Sequence, residues 1–253
     1  AVLYGGLQYD VETTAMAEES KKYDLSNLLA IRGEIARGDS IFHDLQGTKE
    51  EILKIENILK DNKWQVTPYM GKNGTEESFL DMNGKSPRLL HLATHGFYYT
   101  PNKAEDVDYL KGYTDAMSLS GLVMSGGNAA WLGKQLPKGV LGGILTANDI
   151  ARLDLSNTDM VVLSACQTGQ GKATSEGLYG LQRAFKKAGV GTIVMSLWSV
   201  SDKTTSEFMT TFYERLADKK NAWNKRKAFE EAKEIIRQRH PDPFHWAAFV
   251  MLD

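Results

Sequence analysis

Cysteine is almost absent from this sequence: among 253 residues there is only Cys166. A single cysteine can form no internal disulfide and cannot build a cysteine-rich metal site, so we expect no bound metal or other cofactor. Absence of disulfides is typical of proteins in a reducing compartment, and we therefore expect a cytoplasmic location. With one thiol in the chain, the surroundings of Cys166 decide whether it is reactive or inert.

A surplus of charge is also lacking, since 30 Lys and Arg stand against 32 Asp and Glu, for a net charge of -2. No basic surplus favours nucleic acid as a direct partner. No apolar run approaches the roughly 20 residues of a membrane helix, so we expect no membrane association. The segment 1–6 has neither a Met nor the features of a signal peptide. We expect one domain over 1–253, with 1–45 its least clearly patterned part, forming the C-terminal portion of a longer protein.

Apolar strand patterns alternate with amphipathic helix patterns along the chain. The strand patterns fall at 2–9, 64–69, 88–96, 160–166, 192–198 and 244–251. Helical spacing falls at 48–62, 75–82, 146–152, 176–188, 202–216 and 223–239. The first three of these helices are expected to begin at caps, namely Thr48 in a capping box with Glu51, Thr75, and Thr146 with Asp149. This alternation predicts an α/β fold with a mostly parallel sheet and helices on both faces. Residues 10–40 have no clear period apart from a possible helix at 25–37, and 97–145 is predicted to be an irregular insertion and candidate lid, with a strand at 119–124 and a tight turn at 126–128.

Two of the predicted strands end in residues that can carry chemistry, namely His95 with Gly96, and Cys166. The carboxyl ends of parallel strands meet at one edge, and neighbouring strands lie about 4.8 Å apart. His95 could there take the proton of the Cys166 thiol and later protonate a leaving amine. The backbone amides of Gly96 and Cys166 are the candidate oxyanion hole. The competing interpretation is that Cys166 is a packed core residue, as a cysteine ending an apolar strand usually is.

Five ordered motifs resemble those of the CHAT family, whose members are caspase-like domains related to separase and often preceded by tetratricopeptide repeats. The motifs are His91–Phe97, Val161–Gly169, Glu176–Phe185, Ser196–Asp202 and Trp246–Val250. The resemblance covers roughly residues 45–253 and implies a caspase-like, mostly parallel six-stranded sheet whose terminal strand can run antiparallel. It also implies a cysteine endopeptidase with the catalytic pair His95 and Cys166, acting on a protein or peptide and gated by a regulatory protein or an N-terminal repeat domain. The sequence departs from the family at Gln167, where Glu is common.

Three further residues are candidates for substrate binding. In separase-like domains the segment that matches Asp202 contributes an acid, which implies that Asp202 binds Arg or Lys before the scissile bond. Asp202 is also suited to be the N-cap of the helix that follows, which is its expected main role. Trp198 either lines the same pocket or belongs to the core. Glu176 either faces the pocket or stabilises the start of its helix.

The remaining histidines favour structural roles. His91 shares a predicted strand and strand face with His95, lies deeper, and is expected to be a buried, hydrogen-bonded core residue. A zinc site formed by the two is disfavoured, because the i, i+4 spacing suits a helix. His43 is expected in solvent, and His240 and His245 are expected to be structural.

Three other functions remain as alternatives to an endopeptidase. One is a catalytically silent caspase-like scaffold or interaction module, and another is a different hydrolase or an acyltransferase that uses the same dyad. A nucleotide-binding domain is disfavoured, because the glycine-rich turns match neither the dinucleotide nor the phosphate-loop pattern.

Overall fold

The computed structural model describes residues 1–25, 41–98, 117, 119–164 and 175–253, with only the backbone of 175–179 included. The strands are β1 (Val2–Leu7), β2 (Thr67–Gly71), β3 (Leu89–Leu92), β4 (His95–Tyr98), β5 (Ser120–Val123), β6 (Ile144–Thr146), β7 (Met160–Leu163), β8 (Thr192–Ser196) and β9 (Phe249–Leu252). The helices are α1 (Thr13–Ser20), α2 (Gln46–Asp61), α3 (Glu76–Leu80), α4 (Gly127–Trp131), α5 (Ala147–Ile150), α6 (Ser175–Lys187), α7 (Asp202–Ala217), α8 (Lys225–Arg239) and α9 (Pro243–Trp246).

Six of these strands form the central sheet, in the order β2-β1-β3-β7-β8-β9. The pairs from β2 to β8 are parallel, and β9 runs antiparallel to β8. The predicted six-stranded, mostly parallel sheet is therefore confirmed, including its antiparallel terminal strand. β3 and β7 are direct neighbours, with Leu92 opposite Leu163, so their carboxyl ends lie side by side.

Helices cover both faces of this sheet, which explains why its strands are apolar at consecutive positions. On β7, Val161 and Leu163 pack on one face with α3, α5 and α6. Met160 and Val162 pack on the other face with α2, α7 and α8. The side chains alternate because successive residues of a strand point to opposite faces.

A second, antiparallel sheet has the strand order β4-β5-β6. The single strand predicted over 88–96 is wrong in its extent: β3 ends at Leu92, and His95 begins β4 opposite Val123 of β5. The chain turns because the Ala93 amide makes the last bond to β1, at 2.8 Å from Tyr4 O, and the Thr94 hydroxyl donates to Val123 O. His91 and His95 therefore do not share a strand face.

The predicted irregular insertion is ordered over much of its length. β5, α4 and β6 all lie between residues 119 and 146. The expected tight turn at 126–128 is instead the start of α4, where Gly126 is the N-cap with a φ of 78°. Residues 99–116 and 118 of this segment, and most of the possible helix at 25–37, lie outside the described residues.

Several local predictions can be compared with the observed ends of the helices. Thr75 caps α3, and Thr146 with Asp149 forms the capping box of α5, as expected. The capping box expected at Thr48 is wrong, because α2 begins at Gln46 and the Thr48 hydroxyl donates to Leu45 O at 2.7 Å. That hydroxyl also accepts the Gly6 amide at 2.9 Å, a contact with β1 that no local pattern predicts.

Three further elements differ from the sequence prediction in their type or in their position. α1 lies in a stretch where no regular element was expected. The last predicted strand begins as α9, because Asp242 caps it and Pro243 suits the first helical position. The strand predicted at 64–69 is shifted to Thr67–Gly71.

Candidate active site

His95 lies where the parallel strands β3 and β7 end, at the first position of β4. Its side chain is buried, with 4% of the residue exposed. The imidazole packs against two aromatic rings, with centroids 4.8 Å from Tyr9 and 5.4 Å from Phe42. Both rings are tilted to the imidazole, and these contacts restrict its movement.

The Nε2 atom of His95 is 2.7 Å from the backbone carbonyl oxygen of His43. Because a carbonyl can only accept, Nε2 carries the proton, and Nδ1 is the unprotonated nitrogen of the neutral ring. Nδ1 is therefore the atom that could receive a proton from a thiol. The His43 side chain is exposed, as expected, and the hydrogen bond to His95 is made by the backbone of His43.

Burial lowers the pKa of His95 below its ordinary value. The bond to the His43 carbonyl and the negative charges of Asp202 and Asp44 act in the opposite direction, since they favour the protonated ring. His95 is therefore predominantly neutral at pH 7, the state required of a general base. The influence of Asp202 also shows that this carboxylate lies within electrostatic range of the imidazole.

The ring of Tyr9 is fixed by its own hydroxyl. That hydroxyl is 2.8 Å from Thr94 Oγ1, and because Thr94 donates to Val123 O, Tyr9 is the donor of the pair. Burial raises the pKa of Tyr9 to about 12, so the phenol stays protonated at neutral pH. Tyr9 is thus a fixed support for His95 and not a proton carrier.

Cys166 and Gln167 lie outside the described residues. The strand that leads to Cys166 is β7, whose neighbour β3 leads to His95, and the Ser164 amide continues the ladder with a 3.0 Å bond to Leu92 O. The neighbouring strands that the dyad needs are therefore present, while the distance between His95 and Cys166 stays a prediction. Gly96 is buried in β4 opposite Leu122, and its role in an oxyanion hole also stays a prediction.

Asp202 is the first residue of α7, and its side chain is exposed. The expectation that it caps this helix is wrong, because the N-cap is Ser201, whose hydroxyl accepts the Thr204 amide at 3.2 Å. The Asp202 carboxylate is thus not used for capping. It lines a surface groove of about 660 Å³ between α2 and α7, next to Gly47 of α2.

Trp198 follows β8 and is half-buried. Its Nε1 donates to Phe244 O at 2.9 Å, and the indole packs against the core cluster of the α2, α7 and α8 face. Leu197 and Phe244 beside it are about half exposed, at 46% and 51%. Trp198 therefore combines a core contact with a place next to an apolar surface. Glu176 lies in the first turn of α6, and its side chain is outside the described residues.

A comparison with family models identifies the family of the chain. The CHAT domain model matches residues 10–253. The chain belongs to the CHAT family. The match begins at residue 10, well before the motifs that suggested it.

Relatives and structures similar to this CHAT domain agree with that assignment. Tetratricopeptide repeat protein 28 of Mus musculus and of Homo sapiens are each 32% identical over 111 residues, which is 43% of this chain and 4% of each relative. The chain thus spans a small part of the relatives that it matches. Among solved structures, the Arg-specific cysteine proteinase gingipain R superposes with a TM-score of 0.53 at 12% identity, over 99% of this chain and 45% of that one. At this identity the likeness shows the fold alone, a caspase-type cysteine proteinase fold.

His91 of the CHAT domain is structural, as expected. It is fully buried, with Nε2 2.8 Å from Glu51 Oε1 and Nδ1 3.1 Å from the Tyr213 hydroxyl. These contacts join β3 to α2 and α7 through the core. His240 bonds to Glu207 at 2.9 Å on the surface, and its ring lies 5.4 Å from that of His245.

Sequence reasoning missed the His43 carbonyl and the two rings that hold His95. A backbone carbonyl is present at every residue and gives no signal, whereas Tyr9 and Phe42 could have been noted as aromatic residues in poorly patterned stretches. Within the described residues no group of three or more His, Cys, Asp or Glu is arranged to hold a metal ion. In the same part of the chain, no helix has the length and apolar character needed to cross a membrane.

Proposed function

We propose that this CHAT domain is a cysteine endopeptidase of the caspase and separase type, with His95 as the base and Cys166 as the nucleophile. The observation that carries the proposal is the state of His95. A buried imidazole with protonated Nε2, a lowered pKa and a position at the carboxyl edge of the parallel strands is prepared to accept a proton at Nδ1. The strand adjacent to β3 leads to the only thiol of the chain.

The proposed reaction follows from these residues. Nδ1 of His95 takes the thiol proton of Cys166, and the thiolate attacks the scissile carbonyl carbon. The amides of Gly96 and Cys166 would bind the oxyanion of the tetrahedral intermediate. The intermediate collapses to a thioester as the imidazolium gives its proton to the leaving amine, and water then hydrolyses the thioester with His95 as base. While His95 is protonated, the His43 carbonyl and the charge of Asp202 stabilise it.

We propose that the substrate is a protein cleaved after Arg or Lys, with Asp202 as the pocket acid. Its carboxylate is exposed, released from capping by Ser201, and near enough to His95 to affect its pKa. A carboxylate in that place favours a cationic side chain through a charge-assisted hydrogen bond. The solved structure of similar fold is described as Arg-specific, which is a property of that protein. Trp198 and Glu176 are proposed to complete the pocket wall.

Gating by a regulatory protein or an N-terminal repeat region is part of the proposal. It is supported by the 4% exposure of His95, which leaves little open approach to the base. It is also supported by the matched relatives, which are named as tetratricopeptide repeat proteins. A cytoplasmic location is proposed on the single cysteine alone.

The test is cleavage of a peptide library that varies only at the residue before the scissile bond. Wild type, Cys166→Ala and His95→Ala are compared, with Asp202→Asn tested against Asp61→Asn, an exposed acid at the far end of α2. Turnover after Arg or Lys that both dyad variants abolish supports the proposal. Asp202→Asn should lower kcat/KM for an Arg peptide about 10- to 100-fold more than for an isosteric citrulline peptide, the loss expected for one hydrogen bond to a charged group.

A silent library must be separated from a domain that is inactive by nature. Alkylation of Cys166 at neutral pH does this, because a low-pKa thiolate reacts fast and a buried structural thiol does not. Fast alkylation without cleavage would mean that the dyad exists and the substrate was missed. Slow alkylation and a silent library together would support the alternative, a caspase-like scaffold or interaction module. Cleavage that survives Cys166→Ala would overturn the proposed mechanism.

A further inference from the structure

Asn128, in the first turn of α4, makes three hydrogen bonds to segments that surround His95. Its side chain is buried, with 2% of the residue exposed. Oδ1 accepts the Phe42 amide at 2.8 Å, and Nδ2 donates to the Phe42 carbonyl at 3.0 Å. The orientation of the amide is fixed by these partners, since an N–H can only donate and a carbonyl can only accept.

The backbone of Asn128 holds the second segment. Its own amide donates to Tyr9 O at 3.0 Å, and the Gly126 amide before it donates to Gln8 O at 3.0 Å. Tyr9 and Phe42 are the two residues whose rings pack against the imidazole of His95. Asn128 therefore bonds to the backbone of both residues that contact His95.

The bond that orients His95 depends on the same segment. The carbonyl that accepts from Nε2 belongs to His43, which directly follows Phe42. Asn128 bonds to both the amide and the carbonyl of Phe42. Ile41, His43 and Asp44 are exposed, and Phe42 is the buried member of this run. Its ring also contacts Trp131 of α4 at 5.2 Å, so α4 holds the segment by both its backbone and its side chain.

We propose that Asn128 is a positioning residue for catalysis, which fixes the tautomer and direction of the His95 imidazole through the backbone of Phe42 and His43. The inference rests on the proposed function of His95 as the base. Nδ1 is the proton acceptor only while Nε2 keeps its proton, and the His43 carbonyl keeps it there. If the segment moves by about 1 Å, the imidazole turns from the nucleophile, a misplacement that can reduce turnover about 100-fold.

The test compares Asn128→Leu with a matched control, Asn221→Leu. Leucine has the same branching and the same number of side-chain heavy atoms as asparagine, and it removes both side-chain bonds at once. Asn221 is likewise buried, with 4% exposed, and its Nδ2 bonds to Arg215 O at 2.8 Å and Glu231 Oε2 at 2.7 Å. Asn221 connects α7 to α8, away from the His95 pocket, so its variant reports the cost of losing a buried amide elsewhere.

Two readouts separate positioning from a loss of stability. The first is the Nε2–H proton of His95 in ¹⁵N-labelled protein carrying Cys166→Ala, where the bond to His43 should give a slowly exchanging downfield resonance. We expect it in the parent protein and with Asn221→Leu, and expect it to vanish with Asn128→Leu. The second is turnover, where Asn128→Leu should lower kcat about 10- to 100-fold with KM changed less than about threefold, and Asn221→Leu should leave kcat per folded molecule unchanged.

The outcomes distinguish a failure of this inference from a failure of the proposed function. A protected Nε2–H signal and unchanged kcat in Asn128→Leu would overturn it. If the wild type cleaves nothing, the proton resonance still shows whether Asn128 positions His95, and only the endopeptidase proposal fails. If Asn128→Leu does not fold, hydrogen exchange of the Phe42 amide is measured in the wild type instead. Protection of this amide supports its bond to Asn128, and exchange as fast as that of the amide of exposed Ile41 refutes the inference.

Discussion

The buried contact between His91 and Glu51 provides the sharpest prediction about stability. Replacing His91 by Leu removes the partner of a carboxyl group that is 2% exposed and leaves the Tyr213 hydroxyl without its imidazole partner. Removing one member of a buried pair costs about 3–5 kcal/mol, because the remaining polar group is desolvated without compensation. Burial raises the pKa of Tyr213 well above its ordinary value, so the phenol cannot ionise to adapt. We therefore expect His91→Leu to lower the free energy of unfolding by about 3–5 kcal/mol.

A double-mutant cycle tests whether the two residues are coupled. It adds Glu51→Leu and the double variant that carries both substitutions. An apolar pair of similar volume is often as stable as the buried polar pair that it replaces, so the double variant should recover most of the loss. Urea unfolding followed by circular dichroism measures all three, with the slope of the transition as a check on two-state behaviour. A loss below about 1 kcal/mol for His91→Leu, or additive losses in the double variant, would show that the pair is not coupled as the structure indicates. Turnover per folded molecule should be unchanged in His91→Leu, which separates this histidine from His95.

Further predictions concern His95, Asp202, and the second sheet. Because burial lowers the pKa of His95, the acid limb of the pH profile of kcat/KM should lie below pH 6.5. Asp202→Asn should move this limb to still lower pH, because the negative charge of Asp202 raises the pKa of His95. An acid limb at or above pH 7 in the wild type would contradict the first prediction. Ser201→Ala should lower the free energy of unfolding by about 1 kcal/mol, because it removes the N-cap, and should not change the residue preferred before the scissile bond. Asp202→Asn should change that preference and leave the free energy of unfolding nearly unchanged. Thermal melts measure the first quantity and peptide cleavage the second. Gly121→Ala should destabilise the protein by about 1–3 kcal/mol in urea titrations, because its Cβ would lie 2.2 Å from Leu145 O and 2.7 Å from the Phe97 ring; an unchanged midpoint would mean that β5 and β6 are not packed in this way.

Periodicity predicted most of the fold because it reports which faces are buried. The apolar run at Met160–Leu163 requires cover on both faces, and α6, α7 and α8 each have one apolar stripe to provide it. Caps were predictable where the bond is local, as at Thr75 and Thr146. The same reasoning failed at Thr48, where the hydroxyl is taken by the Gly6 amide, a partner 42 residues away.

The break between β3 and β4 could not be predicted from local pattern. The segment 88–96 has no proline, and no glycine before Gly96, to mark a change of partner strand between Leu92 and His95. The change is decided by Val123 and Tyr4, distant residues that accept the hydrogen bonds of Thr94 and Ala93. The two histidines consequently enter different surroundings, one in the core beside Glu51 and one in a pocket of aromatic rings.

The sequence by itself determined the parallel sheet, its helical layers, and the placement of His95 shortly after a strand whose neighbour leads to Cys166. These features follow from side-chain polarity and spacing, which are written in the chain. Only the tertiary structure decided which nitrogen of His95 holds the proton and that Ser201 rather than Asp202 caps α7. It also decided that the Asn128 side chain bonds to the backbone of Phe42. Those outcomes depend on backbone carbonyls and amides, which every residue carries alike, and on chain segments that meet only after folding.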